Sequence, residues 1–175
     1  MIKYSEVEVH RPTTMQDALD LLHKASKAGS PLRPMAGCTD IMVEANHGKL
    51  GDKAFLDLSG LDFTLCELEW GLEGSLEPGS LELGAMTTYA ELMGDRRAHE
   101  LLPTLVIASA VVGATQIQAR GTFGGNIENG SPAADAVPVL MAMDARVRLQ
   151  SVRGIREIPL WEYYTGYRET VRADD

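Results

Sequence analysis

The chain has 175 residues, of which 45% are hydrophobic and 23% charged, a composition typical of a soluble globular protein with one large domain or two small ones. No segment reaches the ~20 apolar residues that a membrane span needs, and the first ten residues lack the apolar core of a signal peptide. The net charge of −9 repels phosphate backbones and therefore disfavours nucleic acid as a partner.

The two cysteines, Cys38 and Cys66, are far apart, and the four histidines show no spacing typical of metal ligands. The sequence therefore supports no disulfide framework, zinc site or iron–sulfur cluster on this chain. We expect a reduced, cytoplasmic setting.

The first third of the chain has the pattern of a β-α-β unit, because apolar residues alternate in its strands and recur at helical spacing in its helices. The predicted elements of this unit are a strand at 6–10, a helix around 18–25, a strand at 32–36, a helix at 40–47 and a strand at 54–58.

The rest of the chain is predicted to mix helices with antiparallel strands. Its predicted elements begin with strands at 65–70 and 81–85, a short helix from the Thr87-Thr88 cap to Met93 and a buried helix at 100–112. They continue with a glycine-rich loop at 121–131, a helix started by Pro132 at 132–143, a hairpin of 146–151 with 156–160, and a helical turn at 161–164. The fold class is therefore α+β, with a small α/β unit at 1–55, a larger unit at 56–175 and a ligand cleft between them.

A first candidate ligand loop has the sequence PMAGCTD and joins a predicted strand to a predicted helix. Gly37 allows a tight turn, and successive N–H groups there, with the N-terminus of the next helix, would converge on an anion such as phosphate. The hydroxyl of Thr39 would add a donor. The loop on its own is equally compatible with a capped turn that holds no ligand.

A second candidate loop has the sequence TFGGN. Gly124 and Gly125 suit a bend with φ > 0 or a close approach to a ligand, and the side chains of Thr122 and Asn126 can donate hydrogen bonds. Downstream, Asp135 would accept hydrogen bonds from a sugar or cap a helix. Because the chain contains neither GxGxxG nor GxxxxGKS/T, the residues alone indicate a two-loop anion site suited to a pyrophosphate.

Several segments, in this order, resemble the flavin subunit of the molybdenum hydroxylases, the superfamily of xanthine dehydrogenase and carbon monoxide dehydrogenase. They are AGCTDI at 36–41, LELGAMTTYAEL at 81–92, TFGGNI at 122–127 with SPAAD at 131–135, and YTGYRET at 164–170. The resemblance implies the two-subdomain FAD-binding fold of the vanillyl-alcohol oxidase (PCMH) type. It also implies that this chain lacks the C-terminal domain that family members carry after GYRxT.

The resemblance implies that both loops bind the pyrophosphate of a non-covalently held FAD, largely through backbone N–H groups, with Asp135 toward the ribose and Val112 near the flavin. The implied cofactor-binding residues are Met35, Ala36, Gly37, Cys38, Thr39, Asp40, Ile41, Val112, Thr122, Phe123, Gly124, Gly125, Asn126 and Asp135. No catalytic residue and no metal ligand is implied on this chain. Cys38, where many members have glycine, is interpreted as a neutral variant.

The implied function is electron transfer in a multi-subunit, FAD-dependent oxidoreductase of the xanthine dehydrogenase type. A large subunit would carry molybdopterin, a small subunit would carry 2Fe–2S clusters, and FAD would pass electrons to NAD or another acceptor. Two alternatives remain: a docking module of the same complex that has lost the flavin, and a stand-alone flavin reductase of the UDP-N-acetylenolpyruvoylglucosamine reductase type. The latter family has a GxGSN-like first loop, which AGCTD fits poorly.

Overall fold

The computed structural model describes residues 7–50, 54–61, 68–70 and 80–173. The strands are β1 (Glu8–His10), β2 (Arg33–Met35), β3 (Ala54–Asp57), β4 (Leu68–Trp70), β5 (Leu81–Leu83), β6 (Arg146–Ser151), β7 (Gly154–Pro159), β8 (Tyr164–Gly166) and β9 (Glu169–Thr170). The α-helices are α1 (Met15–Lys27), α2 (Thr39–Asn46), α3 (Tyr89–Gly94), α4 (Arg96–Leu101), α5 (Pro103–Ala110), α6 (Thr115–Gln118), α7 (Phe123–Asn129) and α8 (Ala136–Ala142). Leu58–Gly60 and Leu160–Glu162 are single 3₁₀ turns.

The N-terminal unit is a three-stranded parallel sheet in the order β1-β3-β2, flanked by α1 and α2. Successive residues of the central strand face opposite sides of the sheet. Leu56 packs with Ala18 of α1, whereas Phe55 packs with Ala45 of α2. The predicted strands and helices of this unit are confirmed, and the carboxyl end of β2 leads directly into the first candidate loop.

The main hydrophobic core lies in the larger unit, where helices α3, α4, α5 and α8 pack with the β6–β7 hairpin. Helix α3 begins with a capping box: the Thr88 hydroxyl accepts from the Glu91 N–H at 3.2 Å, and the Glu91 carboxylate accepts from the Thr88 N–H at 2.7 Å. The predicted Thr87-Thr88 helix start is therefore confirmed.

The prediction of one helix at 100–112 is wrong, because two helices, α4 and α5, meet there. Leu102 breaks the helix with φ −128° and ψ 44°, and Pro103 is the first residue of α5. A residue that precedes proline is disfavoured in helical conformation, whereas proline itself is well placed at a helix start.

The prediction of a loop throughout 121–131 is also wrong, since α7 occupies most of that segment. Thr122 caps this helix, and Gly130 ends it with φ +57°. The helix predicted from Pro132 begins only at Ala136, so that Pro138 lies in its first turn. A helix begun at Pro132 would have placed Pro138 in its interior, where proline removes a hydrogen bond and clashes with the preceding turn.

Strand pairing in the middle of the chain is antiparallel, as predicted, with Leu68 opposite Leu83 and Trp70 opposite Leu81. The predicted strand residues 65–67 lie outside the described residues, as do 71–79 of the connection. Helix α6 and the β8–β9 hairpin were not predicted. In the described part of the chain, no helix is long and apolar enough to cross a membrane.

The tightest contact within the second candidate loop is made by Gly124, which we expect to be needed for folding. A Cβ there would lie 2.6 Å from the Ala85 carbonyl oxygen, so Gly124→Ala should lower the free energy of unfolding by ~1–3 kcal/mol through overpacking. Gly94→Ala, in a helix with no atom within 4 Å of the new Cβ, is the control and should raise it by about 0.5–1 kcal/mol. Urea denaturation measures the free energy of unfolding of both variants. Equal changes in the two variants would contradict the close contact between Gly124 and Ala85.

Candidate functional site

A cavity of about 650 Å³ lies beside both candidate loops, and its volume is within the size range of small-molecule and cofactor sites. One wall is formed by residues between Arg33 and Glu44, and the other by residues between Tyr89 and Arg172. Both candidate loops therefore face the same space.

The first loop packs directly on the backbone that precedes the second. A Cβ on Gly37 would lie 1.7 Å from the carbonyl oxygen of Arg120, so any side chain at position 37 would force the loops apart. The sequence predicted that Gly37 allows a tight turn near a ligand, whereas the contact seen here is a close approach to the backbone of Arg120.

Cys38 has φ +64°, a left-handed conformation that glycine adopts far more readily than cysteine. Its thiol donates to the Ala36 carbonyl oxygen at an S···O distance of 3.3 Å. Burial raises the pKa of the Cys38 thiol, the nearby Arg120 charge lowers it by a smaller amount, and Asp57 raises it slightly. The thiol is therefore a protonated, hydrogen-bonded group rather than a reactive thiolate.

The N-terminus of α2 has unpaired donors. Within the described residues, no acceptor takes a hydrogen bond from the backbone N–H groups of residues 37–41, and α2 has no side-chain cap. The same residues line the cavity. Consecutive free N–H groups at a helix N-terminus attract anions, so these donors are available to an anionic ligand, and phosphate binding here stays a prediction.

The second loop differs from the prediction, because its N–H groups already have partners in the protein. The Phe123 N–H donates to the Thr87 carbonyl at 3.0 Å, and the Gly124 N–H to the Ala85 carbonyl at 2.9 Å. The Gly125 N–H donates to the Thr122 hydroxyl oxygen at 3.0 Å, which caps α7. A ligand at this loop could therefore contact its side chains and approach its glycine backbone closely, but it would not meet a row of free N–H donors.

Neither Gly124 nor Gly125 has a positive φ, so that part of the prediction is wrong. The two glycines have different neighbours. Gly124 faces Ala85, whereas a Cβ on Gly125 would meet only the Thr122 hydroxyl at 2.9 Å, and Gly125 lines the cavity. Phe123 is buried against Tyr89 in the core, with ring centroids 4.9 Å apart.

Asp135 and Asn126 point to a polar ligand. Asp135 is at the N-cap position of α8 but makes no side-chain capping hydrogen bond, so the capping role considered above is not observed. Its carboxylate is exposed and lines the cavity. The side-chain oxygen of Asn126 is buried with no hydrogen-bond partner in the described part of the chain.

A polar bridge that the sequence did not predict joins the two walls. Asn129 donates to the Asp40 carboxylate at 3.1 Å and accepts from the Arg168 guanidinium at 3.0 Å. Asp40 lies in the first turn of α2, and Arg168 in the turn between β8 and β9. This bridge connects three distant parts of the chain at the cavity.

Two other arginines of the cavity wall are held by acidic side chains. Arg33 forms a two-pronged pair with Glu44 at 2.5 and 2.9 Å, and Arg172 donates to Glu128 at 2.7 Å. Tyr163 also donates to Glu128. These cations are therefore balanced by neighbouring carboxylates, and an anion in the cavity would rely mainly on the N–H groups of the first loop.

Comparison with known families identifies the fold. Residues 5–175 match the family model described as the FAD binding domain in molybdopterin dehydrogenase. The chain belongs to this family. Among relatives, it is 32% identical over 157 residues to the xanthine dehydrogenase FAD-binding subunit of Escherichia coli O157:H7. The matched residues make up 90% of this chain and 50% of the relative. It is 30% identical to the nicotinate dehydrogenase FAD-subunit of Eubacterium barkeri, over 97% of this chain and 56% of the relative.

The same family likeness holds in three dimensions. A chain of the reconstituted CO dehydrogenase from Oligotropha carboxidovorans superposes with a TM-score of 0.86 and 27% identity, over 99% of this chain and 57% of that one. Quinoline 2-oxidoreductase from Pseudomonas putida 86 shares the fold, with a TM-score of 0.85 and 20% identity over 99% of this chain and 57% of that one. The chain thus spans about half the length of the relatives it matches.

Most of the residues that the family motifs imply as FAD contacts come together in the structure. The ones that line the cavity are Met35, Ala36, Gly37, Cys38, Thr39, Asp40, Ile41, Val112, Thr122, Gly125, Asn126 and Asp135. Phe123 and Gly124 do not line it, because one packs into the core and the other beneath Ala85. The walls fit the phosphate and ribose parts of FAD. Free N–H donors suit phosphate oxygens, whereas the Asp135 carboxylate and the Asn126 side-chain oxygen, for which the described residues offer no partner, can accept from ribose hydroxyls.

We expect the left-handed conformation to determine which residues position 38 tolerates. Cys38→Gly should change the free energy of unfolding by less than about 1 kcal/mol, because relief of strain offsets the greater chain entropy of glycine. Cys38→Val should lower it by roughly 1–2 kcal/mol, because a β-branched residue resists φ > 0. Urea denaturation of the two variants measures this difference. A valine variant as stable as the glycine variant would show that residue 38 is not held in this conformation.

Proposed function

We propose that this chain binds FAD non-covalently in the cavity between its two units, as part of the flavin subunit of a molybdenum hydroxylase-type dehydrogenase. The observation that carries the proposal is the row of N–H groups at residues 37–41, which have no acceptor among the described residues and belong to the same cavity lining as Gly125 and Asn126. We assign the arrangement of the two units to the PCMH-type fold. We place their boundary after β3 (Ala54–Asp57) rather than between residues 55 and 56, because β3 is the central strand of the N-terminal sheet.

Each part of the dinucleotide is assigned to particular residues of the cavity wall. The N-terminus of α2 and Thr39 would bind the pyrophosphate, since their donors are free. Gly125 would allow the phosphates to approach α7, and Asn126 would add its amide. Asp135 would accept hydrogen bonds from a ribose, because its carboxylate is not used as a cap. Val112, two residues after the end of α5, would pack near the flavin.

Non-covalent attachment is supported by the state of Cys38. This thiol lines the cavity, but burial raises its pKa and it donates to the Ala36 carbonyl, so little thiolate is present to form a bond with a flavin.

The role of the chain in the intact enzyme would be to bind and orient the flavin. FAD supplies the electron-transfer chemistry when bound, and the protein sets its position and surroundings. By likeness to its relatives, the subunit would work beside a molybdopterin-binding large subunit and an iron–sulfur small subunit. Electrons would pass from the iron–sulfur clusters through FAD to NAD or another acceptor in a cytoplasmic complex.

The identity of the bound flavin tests the pyrophosphate assignment. The purified chain should release FAD on acid precipitation, because attachment is non-covalent and the first loop selects a dinucleotide. Chromatography of the supernatant identifies the nucleotide. Recovery of FMN would refute the pyrophosphate assignment, and a chain that neither retains nor takes up flavin would favour the flavin-free docking module.

Gly125→Val should weaken FAD binding at least tenfold. The new side chain would extend from a residue that lines the cavity, and its Cβ would lie 2.9 Å from the Thr122 hydroxyl that caps α7. Loss of that cap should also lower the free energy of unfolding by ~1 kcal/mol. Flavin fluorescence titration measures the dissociation constant.

The matched control is Gly94→Val, which adds the same side chain to a helix at a position with open space around it. It should leave the dissociation constant for FAD unchanged. If Gly125→Val binds FAD as well as this control, α7 does not lie against the cofactor.

A further inference from the structure

Tyr89, the first residue of α3, lies between the main core and the cavity. Its side chain is only 2% exposed, and its ring contacts Phe123 on the core side. A Cβ on Gly121 would lie 3.2 Å from the Tyr89 Cε2 atom, and both residues line the cavity. The ring is therefore fixed beneath the backbone that leads into the second loop.

The hydroxyl of Tyr89 is buried and has no hydrogen-bond partner within the described residues. Most buried polar atoms in proteins are paired, because an unpaired one loses its hydration without compensation. Two other largely buried tyrosines follow that rule. Tyr163 donates to Glu128, and Tyr164 donates to the Ile127 carbonyl at 3.0 Å.

The charged groups that influence this hydroxyl are carboxylates of the cavity lining. Burial raises the pKa of Tyr89 far above its usual value, and the carboxylates of Asp135 and Asp40 raise it further. Both carboxylates line the cavity. The phenol is therefore protonated under all physiological conditions, and it has a hydrogen to donate.

We propose that Tyr89 is a ligand-binding residue whose hydroxyl donates a hydrogen bond to an oxygen in the phosphate–ribose segment of the bound dinucleotide. This rests on the proposed function, because the second loop and Asp135 are there assigned to the pyrophosphate and a ribose. Thr87, whose hydroxyl is also buried without a partner in the described part of the chain, does not line the cavity and is not included.

The proposal predicts opposite effects of Tyr89→Phe on folding and on binding. In the ligand-free protein, the change keeps the aromatic ring and removes a buried hydroxyl that has no partner among the described residues, so the melting temperature should stay the same or rise. In the complex, it removes a donor from a water-excluded site, where hydrogen bonds are strong, so the dissociation constant for FAD should rise about tenfold, or ~1.4 kcal/mol.

The experiment compares the wild-type chain, Tyr89→Phe and Tyr164→Phe by FAD titration and by melting of the ligand-free proteins. Tyr164→Phe is the matched control, because it removes the same hydroxyl from a tyrosine that does not line the cavity and already has a backbone partner. It should leave FAD affinity unchanged and lower the melting temperature. Titration with ADP, which carries a pyrophosphate and a ribose but no flavin, should show the same loss of affinity in Tyr89→Phe.

Each failure has a distinct meaning. If the wild-type chain binds FAD and Tyr89→Phe binds it equally well, this inference is overturned and the proposed function stands. A large fall in the melting temperature of ligand-free Tyr89→Phe would reveal an internal partner and overturn it too. Unchanged ADP affinity with weakened FAD affinity would overturn the phosphate–ribose assignment. If the wild-type chain binds no FAD, the proposed function fails and the inference fails with it.

Discussion

The close approach of Gly37 to the carbonyl of Arg120 sets the geometry on which the cavity depends. A Cβ at position 37 would overlap that oxygen, so the approach requires glycine. The Arg120 segment is itself fixed, because the Gly121 N–H donates to the Ile117 carbonyl and the Gly121 carbonyl accepts from the Tyr89 N–H. The two walls are thus positioned by backbone contacts, which side-chain motion cannot relax.

The two loops contribute differently, although their glycines make them look alike in the sequence. In the first loop, the N–H groups at the start of α2 have no acceptor in the part of the chain that the structure describes, and they remain available to an anion. In the second loop, the Thr122 cap and the carbonyls of Ala85 and Thr87 take the corresponding donors. A helix N-terminus that is capped by its own side chain has lost part of its capacity to bind phosphate.

The polar groups of the cavity wall hold its parts together. Asn129 joins α2 to the turn before β9, and Glu128 joins α7 to Tyr163 and Arg172. Because Arg33 and Arg172 are paired with carboxylates, an anionic ligand of this acidic protein would depend on backbone dipoles more than on a cluster of free cations. Exceptions among the described residues are the Asp135 carboxylate, the Asn126 side-chain oxygen and the Tyr89 hydroxyl, for which no hydrogen-bond partner is found.

The β-α-β unit, the Thr88 cap, the positions of both candidate loops and the family could be predicted from the sequence, because alternation, capping residues and glycine motifs are local signals. The helix boundaries between Leu102 and Pro138 were predicted wrongly, because apolar spacing continues across Pro103 and Pro138, at or near which new helices begin. Tertiary packing determines that Gly124 faces Ala85 while Gly125 faces the cavity, and that the second loop's donors are already paired. These facts depend on residues far apart in sequence, such as Ala85 with Gly124 and Gly37 with Arg120. A pattern read along the chain carries no information on which backbone will lie beside another in the folded protein.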